Sequence, residues 1–430
     1  MMKAQAPADE RPPDEHAPDE HPGDEHPEDG GAARFAALAA RVRAAPASHA
    51  DTAALAAAAG SSRAVLADLL QRHAHMTPAA WLARERVRAV LDRLAATRDR
   101  IDDVAAAAGF AGDADFRRRF LALAHLAPED YRAMARSTAF VLRLPPGYRA
   151  REVLAYHARD PQSPCERVDG RRLLKALAGP DGTAVLEIAF EARRAECRVH
   201  AERRPGPASM QRVHAVTLRM LGLTADVRGF ETRAGRDAHL APLVARRRGL
   251  RLPLTPTTFD ALCWAIIGQQ INLAFASALR REILALAGEP VDGMIAHPSP
   301  ERLAQLEAGE LTKRRFSRSK AEYLLDTARA VAAGELDTEA IADGSAVVAE
   351  RELTRLRGIG TWTARYVLMR GAGFADCAPV GDVALAAALQ KLNFGSERPG
   401  PKEVEALMRP FAPYRSLATF HLWASLRDPA

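Results

Sequence analysis

The chain has 430 residues, 48% of them apolar, enough for roughly two to four domains with real cores and too many for a wholly disordered chain. Its net charge of +6 conceals a split: residues 1–31 hold 2 basic and 10 acidic side chains, residues 32–136 hold 16 and 11, and residues 137–430 hold 42 and 33, a balance that favours polyanion partners. No apolar run suits a bilayer span, no basic-then-apolar leader opens the chain, and Cys165, Cys197, Cys263 and Cys377 lie too far apart for a disulfide scaffold or a CxxC metal site, so a cytoplasmic protein without membrane or metal is expected.

Residues 1–31 read as a disordered acidic tail, with Asp-Glu-His repeating from Asp14, Asp19 and Asp24. Its sparse His residues make a weak metal site, and solvation is the plainer reading. Residues 32–136 read as helical, with two segments on one plan. The first runs Leu55 to Gly60, then Ser61-Ser62-Arg63, then Val65, Leu66, Leu69 and Leu70. The second runs Ile101, Val104, Ala105, Gly109-Phe110, then Asp113, Phe116 and Phe120. Each is a short helix, a glycine turn, a polar N-cap and a second helix, the ingredients of a helix-turn-helix. Residues 79–96 form a long connecting helix between them.

This arrangement resembles the AraC-type DNA-binding domain. Met76-Thr77-Pro78-Ala79-Ala80-Trp81, Gly109-Phe110 and Ala127-Pro128-Glu129-Asp130-Tyr131-Arg132 carry the resemblance, and the first string is closest to the Ada-type regulators. It implies major-groove contacts from Ser62, Arg63, Arg117, Arg118 and Arg119. Successive helical residues point about 100° apart, so the three arginines do not all face one groove. Ada-type regulators carry a Cys-rich, methyl-accepting zinc module before this unit. No Cys precedes Cys165, so methyl-triggered activation is not expected.

Residues 137–232 change texture. Phe140–Leu144, Val185–Phe190 and Cys197–His200 read as short strands, with helices near 148–158 and 208–221, giving a small α+β unit. Residues 233–430 return to a helical pattern. There Leu353 to Ala364 leads through Gly358-Ile359-Gly360 into a helix. The two glycines allow a tight turn, and the free amides that follow form an anion nest. Asp382 follows 22 residues after Gly360, at a helix start where Asp also serves as an N-cap.

A hairpin with an Asp at that distance resembles the helix-hairpin-helix DNA glycosylases. Ile266-Ile267-Gly268-Gln269-Gln270, Trp362-Thr363-Ala364-Arg365-Tyr366 and Pro413-Tyr414-Arg415-Ser416 before Phe420-His421-Leu422-Trp423 narrow the resemblance to the AlkA-type 3-methyladenine glycosylases, over residues 137 to 430. The resemblance implies that Asp382 is the catalytic carboxylate. It implies a base pocket of Trp362, Tyr366 and Trp423, joined by Tyr156 on a local match. DNA backbone contacts fall to Gly358, Ile359, Gly360, Thr361 and Thr363. The gap left by a flipped base is plugged from Gln269, Gln270 or Ile271. A structural monovalent cation near the carbonyls of Leu356 and Ile359 is implied, and no other cofactor. Bifunctional relatives place a Schiff-base Lys where this chain has Trp362, so plain hydrolysis without strand cleavage is expected.

The expected fold is mainly α with one small α+β subdomain: a tandem helix-turn-helix unit (32–136), an α+β subdomain (137–232) and a helix-hairpin-helix glycosylase bundle (233–430). The expected partners are double-stranded DNA containing alkylated bases, and promoter DNA if the first unit reads sequence. A monomer is expected. The rival readings are an Ada-like regulator whose glycosylase half only binds DNA, and an enzyme whose first unit is a nonspecific clamp.

Overall fold

The computed structural model describes residues 27–238, 240–392 and 397–428. Most of the stretch read as an acidic tail therefore lies outside the described residues. A helix, Pro27–Ala44, begins within that stretch, before the position where the sequence starts its helical run. Phe35, Leu38, Ala39 and Val42 recur at helical spacing and are buried against Leu66, Leu70 and Trp81, which explains the early start.

Both helix-turn-helix units form. The first pairs Thr52–Ala58 with Arg63–Ala74, the second Ile101–Ala107 with Asp113–Ala124, and Pro78–Ala96 joins them. Gly109 turns the second unit at φ 85°, and a Cβ there would lie 2.8 Å from the Ala47 backbone. Ser62 caps its helix, its Oγ accepting the Val65 amide at 3.2 Å. The second unit departs from the expected plan. Gly112 holds the N-cap position and Asp113 lies one residue inside the helix, where its carboxylate takes Arg117 instead of capping.

The α+β unit is a five-stranded antiparallel sheet of β1 (Ala139–Arg143), β2 (Glu166–Asp169), β3 (Arg172–Gly179), β4 (Gly182–Phe190) and β5 (Arg194–His200), in the order β1-β5-β4-β3-β2. The sequence pattern finds only β1, β4 and β5. In β3 the polar Lys175 is buried, 1% exposed, beside Cys165 and Glu166, so the polar–apolar alternation that marks a strand is broken. Helices Ala150–His157 and Pro207–Met220 lie close to the expected positions.

The second helix-turn-helix unit and the sheet share one core, in which Phe116, Phe120 and Tyr131 join Phe140, Leu186 and Met210. The remaining helices build a second core around Thr258–Gly268, nearly every residue of which is buried. Among the described residues no single helix is long and apolar enough to cross a membrane.

The first helix-turn-helix unit docks on this second core. Helix Arg63–Ala74 packs on Ala346–Thr354. His73 Nδ1 and Ser345 Oγ lie 2.7 Å apart, the Asp376 amide donates to His75 Nδ1 at 3.0 Å, and Arg88 pairs with Asp343 at 2.5 Å. An Nδ1 that accepts must be unprotonated, and burial accordingly pushes the His75 pKa down to about 4. His214, down to about 4, and His421, down to about 3, behave alike for the same reason.

The folded protein thus binds fewer protons than the unfolded chain between the usual histidine value of 6.5 and about 4. The contribution of His75 is fully present above pH 6.5 and is lost as the pH falls through that window. Denaturant unfolding from pH 7 to 4 is expected to show falling stability. His75→Gln, which keeps an acceptor and cannot titrate, should lose about 1 kcal/mol less over the same range. A pH slope equal to wild type would contradict this assignment.

Candidate active site

Helix Ala346–Thr354 leads through the Gly358-Ile359-Gly360 turn into helix Thr361–Val367. Gly358 adopts φ 83°, and a Cβ on it would collide with the Tyr323 ring. Gly360 is the N-cap of the second helix without any side-chain cap, so the first-turn amides face outward. Thr361 is exposed, whereas Ile359 and Thr363 are buried, 4% and 2% exposed, and offer only their backbone. The carboxamide of Gln269 spans the gap beneath, donating to Gly358 O at 2.8 Å and Thr363 Oγ1 at 3.1 Å. Gln269 is therefore a strut between the hairpin and the end of helix Thr258–Gly268. Gln270 is exposed at φ 56°, and Ile271 is half-buried against the core. Leu273, which the sequence does not single out, is 71% exposed at the start of the next helix.

Asp382 caps helix Val383–Lys391. Its Oδ1 accepts from the Leu385 amide at 2.7 Å and from Trp423 Nε1 at 2.9 Å, and its Oδ2 faces Trp362 Nε1 at 3.3 Å. Two indole N–H groups and a helix N-terminus thus fix both oxygens. Trp362 stacks on Tyr366 with centroids 5.6 Å apart, and Tyr366 lies 6.3 Å from Trp423. The expected carboxylate and these three aromatics come together, although Trp362 and Trp423 stand 61 positions apart in the chain.

Tyr156 enters the same cleft from helix Ala150–His157, which is held to the helical core by Glu166. That carboxylate lies 3.1 Å from His157 and 3.3 Å from Arg280, while Arg281 pairs with Asp160 at 2.6 Å. Tyr156 meets arginines rather than the other expected aromatics. The guanidinium carbons of Arg159 and Arg370 lie 4.2 and 4.5 Å from its ring centroid, and Arg159 also covers Trp264 at 4.8 Å. Burial alone would raise the Tyr156 pKa, but the two cations outweigh it and the net shift is downward. Burial raises that of Tyr366. These groups line a cleft of about 2010 Å³.

The sequence reading missed Trp264, Arg159 and Arg370. Trp264 is hidden in an apolar helix, and Arg370 shows only as one charge after the run Val367-Leu368-Met369. A π-helical turn, Leu368–Ala372, carries Arg370.

The expected groove-binding residues lie elsewhere. Ser62 is used as a cap, and Arg63 is exposed beside it. Arg117 binds Asp113 and Glu129, while Arg118 and Arg119 both bind Asp115. All three arginines are engaged by carboxylates of their own unit.

Comparison with known proteins agrees with this layout. Residues 55–134 match a helix-turn-helix domain, 139–256 the AlkA N-terminal domain and 263–413 the HhH-GPD superfamily of base excision DNA repair proteins. The DNA-3-methyladenine glycosylase of Bacillus subtilis is 35% identical over 208 residues, 47% of this chain and 69% of that protein. This chain belongs to the DNA-3-methyladenine glycosylase family. A Mycobacterium tuberculosis relative, named as a probable bifunctional transcriptional activator/DNA repair enzyme AlkA, is 31% identical over 218 residues, 49% of this chain and 42% of that one. The 3-methyladenine DNA glycosylase structure from Archaeoglobus fulgidus shares the fold, with a TM-score of 0.60 at 21% identity over 67% of this chain and 98% of that one.

Gly358→Ala tests the hairpin of this family member. The left-handed turn and the Tyr323 ring both oppose a Cβ, so a loss of about 1–3 kcal/mol in stability is expected. Gly360→Ala, with nothing within 4 Å of its Cβ and an extended φ of −87°, should cost less. Equal losses in thermal unfolding would refute the steric argument.

Proposed function

We propose that the chain hydrolyses the N-glycosidic bond of alkylated purines, 3-methyladenine and 7-methylguanine, in double-stranded DNA, leaving the abasic strand uncut. The observation that carries this reading is the Asp382 carboxylate, clamped by Trp362 and Trp423 at a cleft walled by Tyr366. Alkylation at N3 or N7 makes the base cationic and a good leaving group. The protein must then extrude the nucleotide, which costs a few kcal/mol, and stabilise positive charge growing on the sugar. Asp382 supplies the opposing charge and orients the attacking water. The aromatic faces hold the base by stacking, worth about 0.5–2 kcal/mol with a cation. The hairpin amides at Gly360 and Thr361 hold a phosphate, and the exposed Gln270, with Ile271 behind it, plugs the gap.

The absence of strand cleavage follows from the amines. Trp362 occupies the Schiff-base position, and among the described residues no lysine lines the cleft. Lys320, at its edge, donates to the carbonyls of Ile267, at 2.8 Å, and Gln269. The hairpin also fits a structural monovalent cation. Its oxygens would be the carbonyls of Leu356 and Ile359; that of Leu356 takes the Ile359 amide at 3.0 Å and keeps a second lone pair. The ion would brace the turn.

A second reading, an alkylation-response regulator bound to promoter DNA, is favoured by one observation: the exposed start of helix Arg63–Ala74, where Arg63 and Val65 face outward. The protein acts as a monomer in either reading.

Asp382→Asn is expected to reduce release of 3-methyladenine from methylated duplex DNA by about 10²–10³-fold at unchanged folding. Wild type that releases no methylated base would refute the enzyme reading, and strand scission at the abasic product would refute the hydrolytic one. Selection of bound sequences by full-length Asp382→Asn separates regulator from clamp. The regulator requires an enriched motif that weakens in Arg63→Ala.

A further inference from the structure

Asp382 is reached from the π-helical turn by the segment Gly373-Phe374-Ala375-Asp376-Cys377-Ala378-Pro379-Val380-Gly381, which is neither helix nor strand. Short side chains dominate it, so its course is set by what its backbone meets on either side. On one side stands helix Arg415–Ser425. Ser416 Oγ accepts the Cys377 amide at 3.0 Å and donates to Phe374 O at 2.6 Å, while the Ser416 amide donates to Ala375 O at 3.0 Å. On the other side stands the first helix-turn-helix unit. His75, which ends helix Arg63–Ala74, meets the Phe374 ring in a T-shaped contact with centroids 5.2 Å apart, and its Nδ1 accepts the Asp376 amide at 3.0 Å.

The ties meet at Asp376. Its Oδ1 accepts from Arg415 Nε at 2.8 Å and its Oδ2 from Arg415 Nη2 at 3.0 Å. The same Oδ1 takes the Arg415 amide at 3.2 Å, and so caps a helix whose own N-cap, Tyr414, offers no side-chain bond. Trp423 lies on that helix eight residues on, just over two turns, and donates to Asp382. Asp382 lies six residues beyond Asp376 in the segment itself. Both partners of the Trp423–Asp382 contact therefore hang from Asp376, one through the capped helix and one through the chain. The hydrogen bond from His75 sets the plane of the Asp376 peptide. Its loss frees that peptide to rotate and to carry the carboxylate away from Arg415.

We propose that His75 is a positioning residue for base release: through the Asp376 amide, the first helix-turn-helix unit holds the segment that delivers Asp382 and the helix that delivers Trp423. That unit is then a working part of the glycosylase as well as a DNA-binding body. The proposal rests on the glycosylase reading above and concerns the aim of the carboxylate, whichever base is released.

The test compares full-length wild type, His75→Gly and His75→Asn. His75 sits at φ 54°, a left-handed conformation that glycine and asparagine both tolerate at a helix end, so neither change strains the backbone. Glycine removes the acceptor, and asparagine restores one, its Oδ1 standing where Nδ1 stood. The measurements are the single-turnover rate of 3-methyladenine release from methylated duplex DNA and the Kd for duplex DNA holding a stable abasic analogue, at a temperature where each variant is folded. His75→Gly should slow release about tenfold with Kd unchanged, because a misplaced carboxylate acts on the chemical step. His75→Asn should recover most of the rate. Should His75→Gly fail to fold, Asp376→Ala, which keeps the amide and removes the fork to Arg415, reads the same link, and a wild-type rate there overturns the proposal. Equal rates in wild type and His75→Gly overturn it too. So does an equal loss in both His75 variants, which marks the ring as packing, or a loss matched by weaker DNA binding. Wild type that releases no methylated base overturns the glycosylase reading, and the positioning role with it.

Discussion

The site depends on one contact set: a carboxylate gripped by two indoles. Trp362, Asp382 and Trp423 come from three helices, and a shift of any one breaks a hydrogen bond of 2.9 or 3.3 Å. Their mutual positions are set by burial rather than by polar links. Ala364, Val367, Leu385 and Leu422 on those helices all enter the core around Thr258–Gly268. A close-packed interior resists displacement, so the carboxylate can stay aimed without its own second layer of charged partners. The strut of Gln269 extends the same logic to the hairpin, fixing the Gly358-Ile359-Gly360 turn to the central helix by two hydrogen bonds.

What could be read in the sequence was what depends on short-range chemistry. Gly358, Gly360 and Asp382 announce themselves because a left-handed turn, an uncapped helix start and a capping carboxylate each demand few residue types. Trp362, Tyr366 and Trp423 followed from the resemblance these positions carry. The strand β3 did not show, since its buried Lys175 is stabilised by Glu166, a neighbour that only the folded sheet supplies. Arg370 and Trp264 did not show either. A cation ending an apolar run and a Trp within one look like core noise until the π-helical turn and the Tyr156 ring give them a direction. Gln269 falls with the plug only because the Gln269-Gln270 turn resembles the family's plugging loop, yet its amide is consumed inside the protein.

The electrostatics divide in the same way. Composition gives an excess of cations for the body of the chain, but the excess is not spread evenly over the surfaces named for DNA. Arg117, Arg118 and Arg119 look like a phosphate-binding run, and each is neutralised by Asp113, Asp115 or Glu129. Such exposed pairs are worth little and exchange readily for phosphate, so they tune rather than forbid binding. Arg159 and Arg370 look unremarkable in the sequence, and among the described residues neither is ion-paired to a carboxylate; both lie against the Tyr156 ring instead.

The docking of the first helix-turn-helix unit bears on how the two halves work. Ser345 caps the first hairpin helix, taking the Val348 amide at 3.2 Å, and the same hydroxyl meets His73 of helix Arg63–Ala74. One side chain therefore braces both the hairpin and the first helix-turn-helix unit. The start of helix Arg63–Ala74 stays exposed while its end is buried on the bundle, so the unit can meet DNA only with the glycosylase body attached. With the second unit sharing its core with the sheet, neither unit is a tethered accessory on a loose linker. Any DNA held by the first unit is held at a fixed place relative to the hairpin, which is a geometric constraint on the reaction rather than a gain in local concentration alone.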